Sequence, residues 1–171
     1  TNPYLLNYTI SLHNTGWGLR VGAGYVYTAN SSDDGITVTD TKMNDLSLRI
    51  GIEKAFQLSK KWSTGAGLDF IHNSNNDHTS TVVNSSFGGN TTDTKTTTIN
   101  SGAGPMAWLR YAITEKILIG TEASFYYLSG KTDQTVTITD PSGFPTTTPT
   151  STKTGSGSFS SPIVFFLGVK F

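Results

Sequence analysis

Gly157-Ser-Phe-Ser-Ser-Pro-Ile-Val-Phe-Phe-Leu-Gly-Val-Lys-Phe171 closes the chain, and the rest of the sequence makes sense as its neighbours. Counting back by twos, Phe171, Val169, Leu167, Phe165, Ile163, Ser161 and Phe159 fall on one face. Lys170, Gly168, Phe166, Val164, Pro162 and Ser160 fall on the other. Successive side chains of a strand point to opposite faces. One face is therefore apolar to the last residue, while the other carries Gly, Lys, Ser and Pro. Such a ribbon suits a sheet whose outer side meets hydrocarbon and whose inner side is polar.

The same alternation recurs upstream. Leu6, Tyr8, Ile10 and Leu12 alternate with Asn7, Thr9 and Ser11. Trp17, Leu19, Val21, Ala23, Tyr25 and Tyr27 alternate with Gly18, Arg20, Gly22, Gly24, Val26 and Thr28. Leu46, Leu48, Ile50, Ile52 and Phe56 oppose Asp45, Ser47, Arg49, Gly51 and Glu53. Trp62, Thr64, Ala66, Leu68 and Phe70 oppose Ser63, Gly65, Gly67 and Asp69. Ile99, Ala103, Pro105, Ala107, Leu109 and Tyr111 oppose Asn100, Gly102, Gly104, Trp108 and Arg110. Ile117, Ile119, Thr121, Ala123, Phe125 and Tyr127 oppose Gly120, Glu122, Ser124 and Tyr126. With the terminal run this makes seven alternating segments, read as one all-β domain over residues 1–171.

Two stretches carry a resemblance. The terminal strand, with Phe165, Leu167, Val169 and Phe171 in alternation, resembles the assembly signal of bacterial outer-membrane β-barrels. Gly104-Pro-Met-Ala-Trp-Leu-Arg-Tyr-Ala-Ile-Thr-Glu-Lys-Ile-Leu-Ile-Gly-Thr-Glu-Ala-Ser-Phe125 looks like the central hairpin of the small, porin-like outer-membrane barrels common in Bacteroidetes. The resemblance implies a transmembrane antiparallel up-and-down β-barrel of eight strands. It also implies recognition of the last strand by the barrel-assembly machinery, and a C-terminus on the periplasmic side of the outer membrane.

Connections alternate short and long. The short ones, at 13–16, 57–61 and 113–116, are expected at the periplasmic side, and the long ones outside the cell. Seven strands are odd, whereas bacterial single-chain barrels are even and leave no unpaired edge in lipid. The reading therefore expects an eighth strand upstream of Thr1. The long loops contain β-branched alternating runs, Gly35–Asp40, Thr79–Val83 and Thr135–Thr139, with turn residues at Phe87–Asn90 and Asp140–Gly143. Strands are expected to continue beyond the membrane as hairpins.

Charge settles which face is inside. Arg20, Arg49, Arg110 and Lys170 share the polar face with Asp45, Glu53, Asp69 and Glu122. A lipid-facing Arg or Lys at mid-membrane costs about 2–4 kcal/mol, so the charged face is the expected lumen. Equal numbers of both signs suit a salt-bridged plug, because buried charges need partners. The outward Trp17, Phe56, Trp62 and Tyr111 near the short turns, and Tyr25, Tyr27, Phe70, Phe125 and Tyr127 near the loops, read as two interfacial girdles.

Other chemistry is thin. Lys+Arg and Asp+Glu are balanced at 12 each, which argues against nucleic-acid binding. There is no cysteine, hence no disulfide and no thiolate metal site. His72, Asp77 and His78 make a weak metal candidate, and His72 with Ser74 or Ser101 a weak hydrolytic one. No catalytic, cofactor or metal residue is expected. The expected function is a non-enzymatic integral outer-membrane barrel with a structural or accessory role, as a subunit of a larger outer-membrane complex. Its partners would be outer-membrane lipids and other outer-membrane proteins. A narrow channel for ions or small solutes is the first alternative and a lipid-modifying enzyme the second. A soluble ligand-binding barrel would need an apolar inside, which the parity opposes.

Overall fold

The structure is a computed structural model that describes residues 6–12, 15–83 and 89–169, with the side chains of 158–166 excepted. Among the described residues it is all-β. The strands are β1 (Leu6–Ser11), β2 (Trp17–Asp33), β3 (Thr37–Gln57), β4 (Trp62–Val83), β5 (Asn90–Ala112), β6 (Ile117–Thr139) and β7 (Pro145–Val169). They form one antiparallel sheet in chain order, each strand paired with the next. This is an up-and-down meander of the kind that alternating runs joined by tight turns specify.

The strands are long. β3 to β7 each span 21 to 25 residues, against about 5–6 for an ordinary globular strand. The Thr/Ser/Asn segments extend the apolar runs without a break. Cross-strand threonine pairs mark this extension: Thr39–Thr81, Thr98–Thr132 and Thr137–Thr147 place their hydroxyls 3.5, 3.1 and 3.1 Å apart. Two of the hairpin tips are fixed by aspartates. Asp34 accepts from the Ile36 and Thr37 amides at 2.9 and 2.6 Å, and Asp140 from the Ser142 and Phe144 amides at 2.9 and 3.0 Å. Gly35 and Gly143 supply the left-handed φ of 85° and 83° that these turns require.

Two irregularities follow from proline. Pro105 has no amide proton, and the β5–β6 pairing lapses between Ala103↔Tyr127 and Met106↔Ser124. Along β7, Glu122↔Val164 is followed by Ser124↔Ser160, so that Ala123 alone faces the stretch containing Pro162. That is a β-bulge, which bends the longer strand.

The sheet is rolled. Flat, β2 and β6 would lie about 19 Å apart at ~4.8 Å per strand, beyond the reach of any ion pair. Yet Arg20 on β2 meets Glu122 on β6 at 2.5 Å. The roll is open, since among the described residues β1 pairs only with β2 and β7 only with β6. The concave side holds the buried residues and the convex side is exposed. Burial alternates strictly along the first turns of β2, where Gly18, Arg20, Gly22 and Gly24 are buried and Trp17, Leu19, Val21, Ala23 and Tyr25 are exposed.

Candidate functional site

The concave face gathers charge where a soluble domain would gather leucine. β2 contributes Arg20, β3 Arg49 and Glu53, β4 Asp69, β5 Trp108 and Arg110, and β6 Glu122 and Tyr126. Each lands there by strand parity, an even number of residues from its neighbour on the same strand. Arg20, Arg49, Glu53, Asp69 and Glu122 are 3%, 5%, 2%, 1% and 8% exposed. Ionised groups so enclosed require partners, and the geometry supplies them.

Glu122 is the hub. Its two carboxylate oxygens each accept from one guanidinium, Oε1 from Arg49 Nη1 at 2.6 Å and Oε2 from Arg20 Nη2 at 2.5 Å. Asp69 lies 3.5 Å from Arg49 Nη1 and 3.9 Å from Arg20 Nη1, and its Oδ2 accepts from the Tyr126 hydroxyl at 3.0 Å. Glu53 Oε2 accepts from the Trp108 indole at 2.9 Å and lies 3.4 Å from Arg20 Nε. Its Oε1 accepts from Arg110 at 3.5 Å. Arg110 stacks 3.8 Å over the Trp108 ring, a cation–π contact. Three arginines thus face three carboxylates, and the set of six is neutral.

Small residues make room for this. A Cβ on Gly65 would stand 2.4 Å from Trp108 Cε2, so the indole lies flat on the β4 backbone only because residue 65 has no side chain. Two members of the cluster stand outside the sequence reading. Met106 Sδ lies 2.6 Å from Arg20 Nη1, and Asn7 on β1 accepts from Arg49. Parity could have found both, since Met106 sits between the inward Gly104 and Trp108, and Asn7 on the polar face of β1.

Two of the eight residues read as a lumen charge network are not part of the cluster as described. Asp45 lies two inward positions up β3 from Arg49, about 13 Å along a strand, and its carboxylate accepts from Asn75 instead. Lys170 falls outside the described residues. In the terminal-strand set, Leu167 and Val169 are 72% and 59% exposed, and Phe165 is paired in β7 with Thr121. Phe171 falls outside the described residues.

The convex face is apolar in a band. Leu19, Val21, Leu46, Leu48, Ile50, Ile52, Leu68, Phe70, Leu109, Ile119 and Phe125 are 37–58% exposed. The band ends in aromatics. Trp62 and Tyr111 pack as a tilted pair with ring centroids 4.9 Å apart beside the short turns, Lys54 reaches to 5.2 Å from the Trp17 ring, and Lys61 to 5.7 Å from that of Tyr111. Tyr25, Tyr27, Phe70, Phe125 and Tyr127 lie towards the other end of the band. Above them His72 and Ser101 are cross-strand neighbours, Nδ1 to Oγ 2.8 Å. Asp77 is on the opposite face from His72 and His78 by parity, and His78 instead lies 3.7 Å from Asp93. No group of three metal-ligating side chains forms among the described residues. Comparison with family models, with characterised proteins and with solved structures found no match.

Proposed function

We propose that this chain is an integral outer-membrane β-barrel whose lumen is filled by the arginine–carboxylate cluster, serving a structural or accessory role as a subunit of a larger outer-membrane complex. The observation that carries the reading is the inversion of the two faces, with ionised residues enclosed and large apolar ones exposed. In water, a half-exposed Leu, Ile or Phe forgoes about 1 kcal/mol of burial. The eleven side chains of the convex band together forgo about 10 kcal/mol, comparable to the ~5–15 kcal/mol net stability of a whole domain. Hydrocarbon removes that deficit. The band also has the right height. From Trp17 to Tyr27 there are ten steps along β2, about 33 Å, which at a tilt of ~40° is about 25 Å, the apolar band of an outer-membrane barrel.

The curvature supports eight strands. In a closed eight-stranded barrel, strands four apart face each other across the lumen, as β2 and β6 do through Arg20 and Glu122. In this reading one further strand closes the roll between β1 and β7, because unpaired backbone groups are not tolerated in lipid. The long strand extensions then stand outside the cell and the short turns in the periplasm, with the last strand read by the barrel-assembly machinery. Small convex residues such as Ala66, Ala103, Ala107 and Ala123 offer flat contact to another barrel.

The experiment is to dilute the full natural chain from urea into lipid vesicles. Insertion gives β structure, protease-resistant apolar strands and a blue-shifted Trp17/Trp62 emission. A chain that stays in the aqueous phase as a monodisperse folded protein refutes the proposal. A second reading, a lipid-modifying enzyme, is favoured by one observation, the His72–Ser101 contact at the upper edge of the band. It requires that lipid A mass change with the protein present and revert in Ser101→Ala.

A further inference from the structure

Asp140 and Phe144 close the β6–β7 hairpin, the Asp140 amide donating to the Phe144 carbonyl at 3.4 Å. Pairs along an antiparallel ladder alternate between hydrogen-bonded and non-hydrogen-bonded ones. The next pair, Thr139↔Pro145, is therefore of the second kind, as are Thr137↔Thr147, Thr135↔Pro149 and Asp133↔Ser151. The Thr137 and Thr147 hydroxyls, 3.1 Å apart, fit the closer side chains of such a pair. A residue in a non-hydrogen-bonded pair turns its N–H and C=O away from its partner. On β7 these groups turn to the side where no strand pairs among the described residues. Pro145 and Pro149 have no N–H to offer there, and their rings stand where it would be. Thr147 is left as a single donor between two prolines.

In every other respect this edge invites pairing. Residues 145–157 are exposed. The stretch Thr146-Thr-Thr-Pro-Thr-Ser-Thr152 has no charge, and threonine favours strands. Without Pro149 it would be an uncharged, mostly β-branched run on a bare edge, the kind of segment that pairs with a copy of itself. Proline is at home in a sheet only at an edge, with its nitrogen facing solvent, and both prolines meet that condition. Lys153 adds a charge further down the same strand. The height fits as well. Pro149 is eight residues beyond Gly157, about 26 Å along the strand and about 20 Å along the normal at a ~40° tilt. The bare edge thus stands in water, where unpaired backbone groups are solvated, and not in lipid, where they are not tolerated. We infer that Pro145 and Pro149 hold the outer edge of β7 unpaired above the apolar band. A strand closing the roll then pairs with β7 only below Pro149, and a second copy of this chain cannot add itself edge to edge. The edge argument holds in water as in a membrane, and the membrane reading supplies only the height.

The test uses the full natural chain in detergent micelles. Hydrogen exchange is followed residue by residue in wild type. Thr147 and Ser151 should exchange on the order of 100-fold faster than Thr146, Thr148 and Thr150, whose amides face β6. Equal protection of the two sets shows the edge to be paired and overturns the inference. Pro145→Thr/Pro149→Thr restores two donors, each worth about fivefold in an association constant, and should self-associate about 25-fold more tightly than wild type in a sedimentation titration. Pro141→Thr, in the exposed hairpin tip and off the edge, should sediment as wild type does. A double variant that sediments as wild type does, or a Pro141→Thr chain that associates as strongly as the double variant, overturns the role given to the two prolines. Failure of the wild-type chain to enter micelles overturns the membrane reading alone, and the same two measurements in buffer then decide this inference.

Discussion

Glu122→Gln tests the buried cluster most sharply. The substitution keeps shape and volume and removes one charge. Glu122 is 8% exposed and bonds two guanidinium groups that are themselves 3% and 5% exposed. A glutamine can offer only one oxygen, so either Arg20 or Arg49 then faces an N–H donor instead of an acceptor. The set of six passes from neutral to a net charge of one. Breaking a buried pair from one side costs about 3–5 kcal/mol, because the surviving charge stays enclosed. Arg20 keeps Glu53 at 3.4 Å and Arg49 keeps Asp69 at 3.5 Å, which puts the expected loss near 3 kcal/mol, at the lower end of that range. The assay is the urea dependence of reversible folding into vesicles. Arg49→Met in the Glu122→Gln background should cost less than in wild type, with a coupling of at least about 1 kcal/mol. A Glu122→Gln chain within about 0.5 kcal/mol of wild type, the range of an ordinary surface change, refutes the claim that this cluster holds the interior of the rolled sheet.

Three further outcomes are expected. Ile50→Arg, at mid-band and 51% exposed, should destabilise the inserted protein by about 2–4 kcal/mol, whereas Thr97→Arg on the strand extension should change it by less than about 0.5 kcal/mol. A water-soluble fold would be indifferent to the first. Gly65→Ala drives a methyl group against the Trp108 ring, which should cost about 1–3 kcal/mol of overpacking and alter the near-ultraviolet circular dichroism. Wild-type spectra and stability there would show that the indole lies elsewhere. At the fully exposed β2–β3 tip, the Thr37 and Ile36 amides hold the Asp34 carboxylate below the ordinary aspartate value of 3.8. A depressed folded-state value means that the contribution of the turn is present above the unfolded value and fades as pH falls through the folded one. Amide resonances of Ile36 and Thr37 should titrate with a midpoint under 3.8, and a midpoint at or above it contradicts the hydrogen bonds described.

Parity carried most of what the sequence could say. Alternation alone separates Leu48 from Arg49 and Phe70 from Asp69, because a strand has a side-chain period of two and no freedom to drift. The hairpins were legible for the same reason, with Asp140-Pro-Ser-Gly143 marking one tip. Parity reports a face but not a height or a curvature. Asp45 and Arg49 share a face, yet Asp45 bonds Asn75 because two inward positions separate it from the arginine. That Arg20 reaches Glu122 depends on how tightly the sheet rolls, a property of the whole sheet that no local run encodes. The bulge opposite Ala123 was likewise invisible: Pro162 signals an irregularity, but the register change needs the partner strand. An isolated methionine such as Met106 reads as packing material in a sequence, whereas here its sulfur accepts from Arg20.

The direction of the apolar face is the central claim, and β3 offers a direct measurement. The chain has no cysteine, so single spin labels can be placed in turn at Leu46, Ser47, Leu48, Ile50 and Ile52 of the lipid-reconstituted protein. Collisions with dissolved oxygen should be frequent at Leu46, Leu48, Ile50 and Ile52 and rare at Ser47, with a water-soluble nickel chelate excluded from the first four. Free access of the chelate to Leu48, Ile50 and Ile52 would contradict the account.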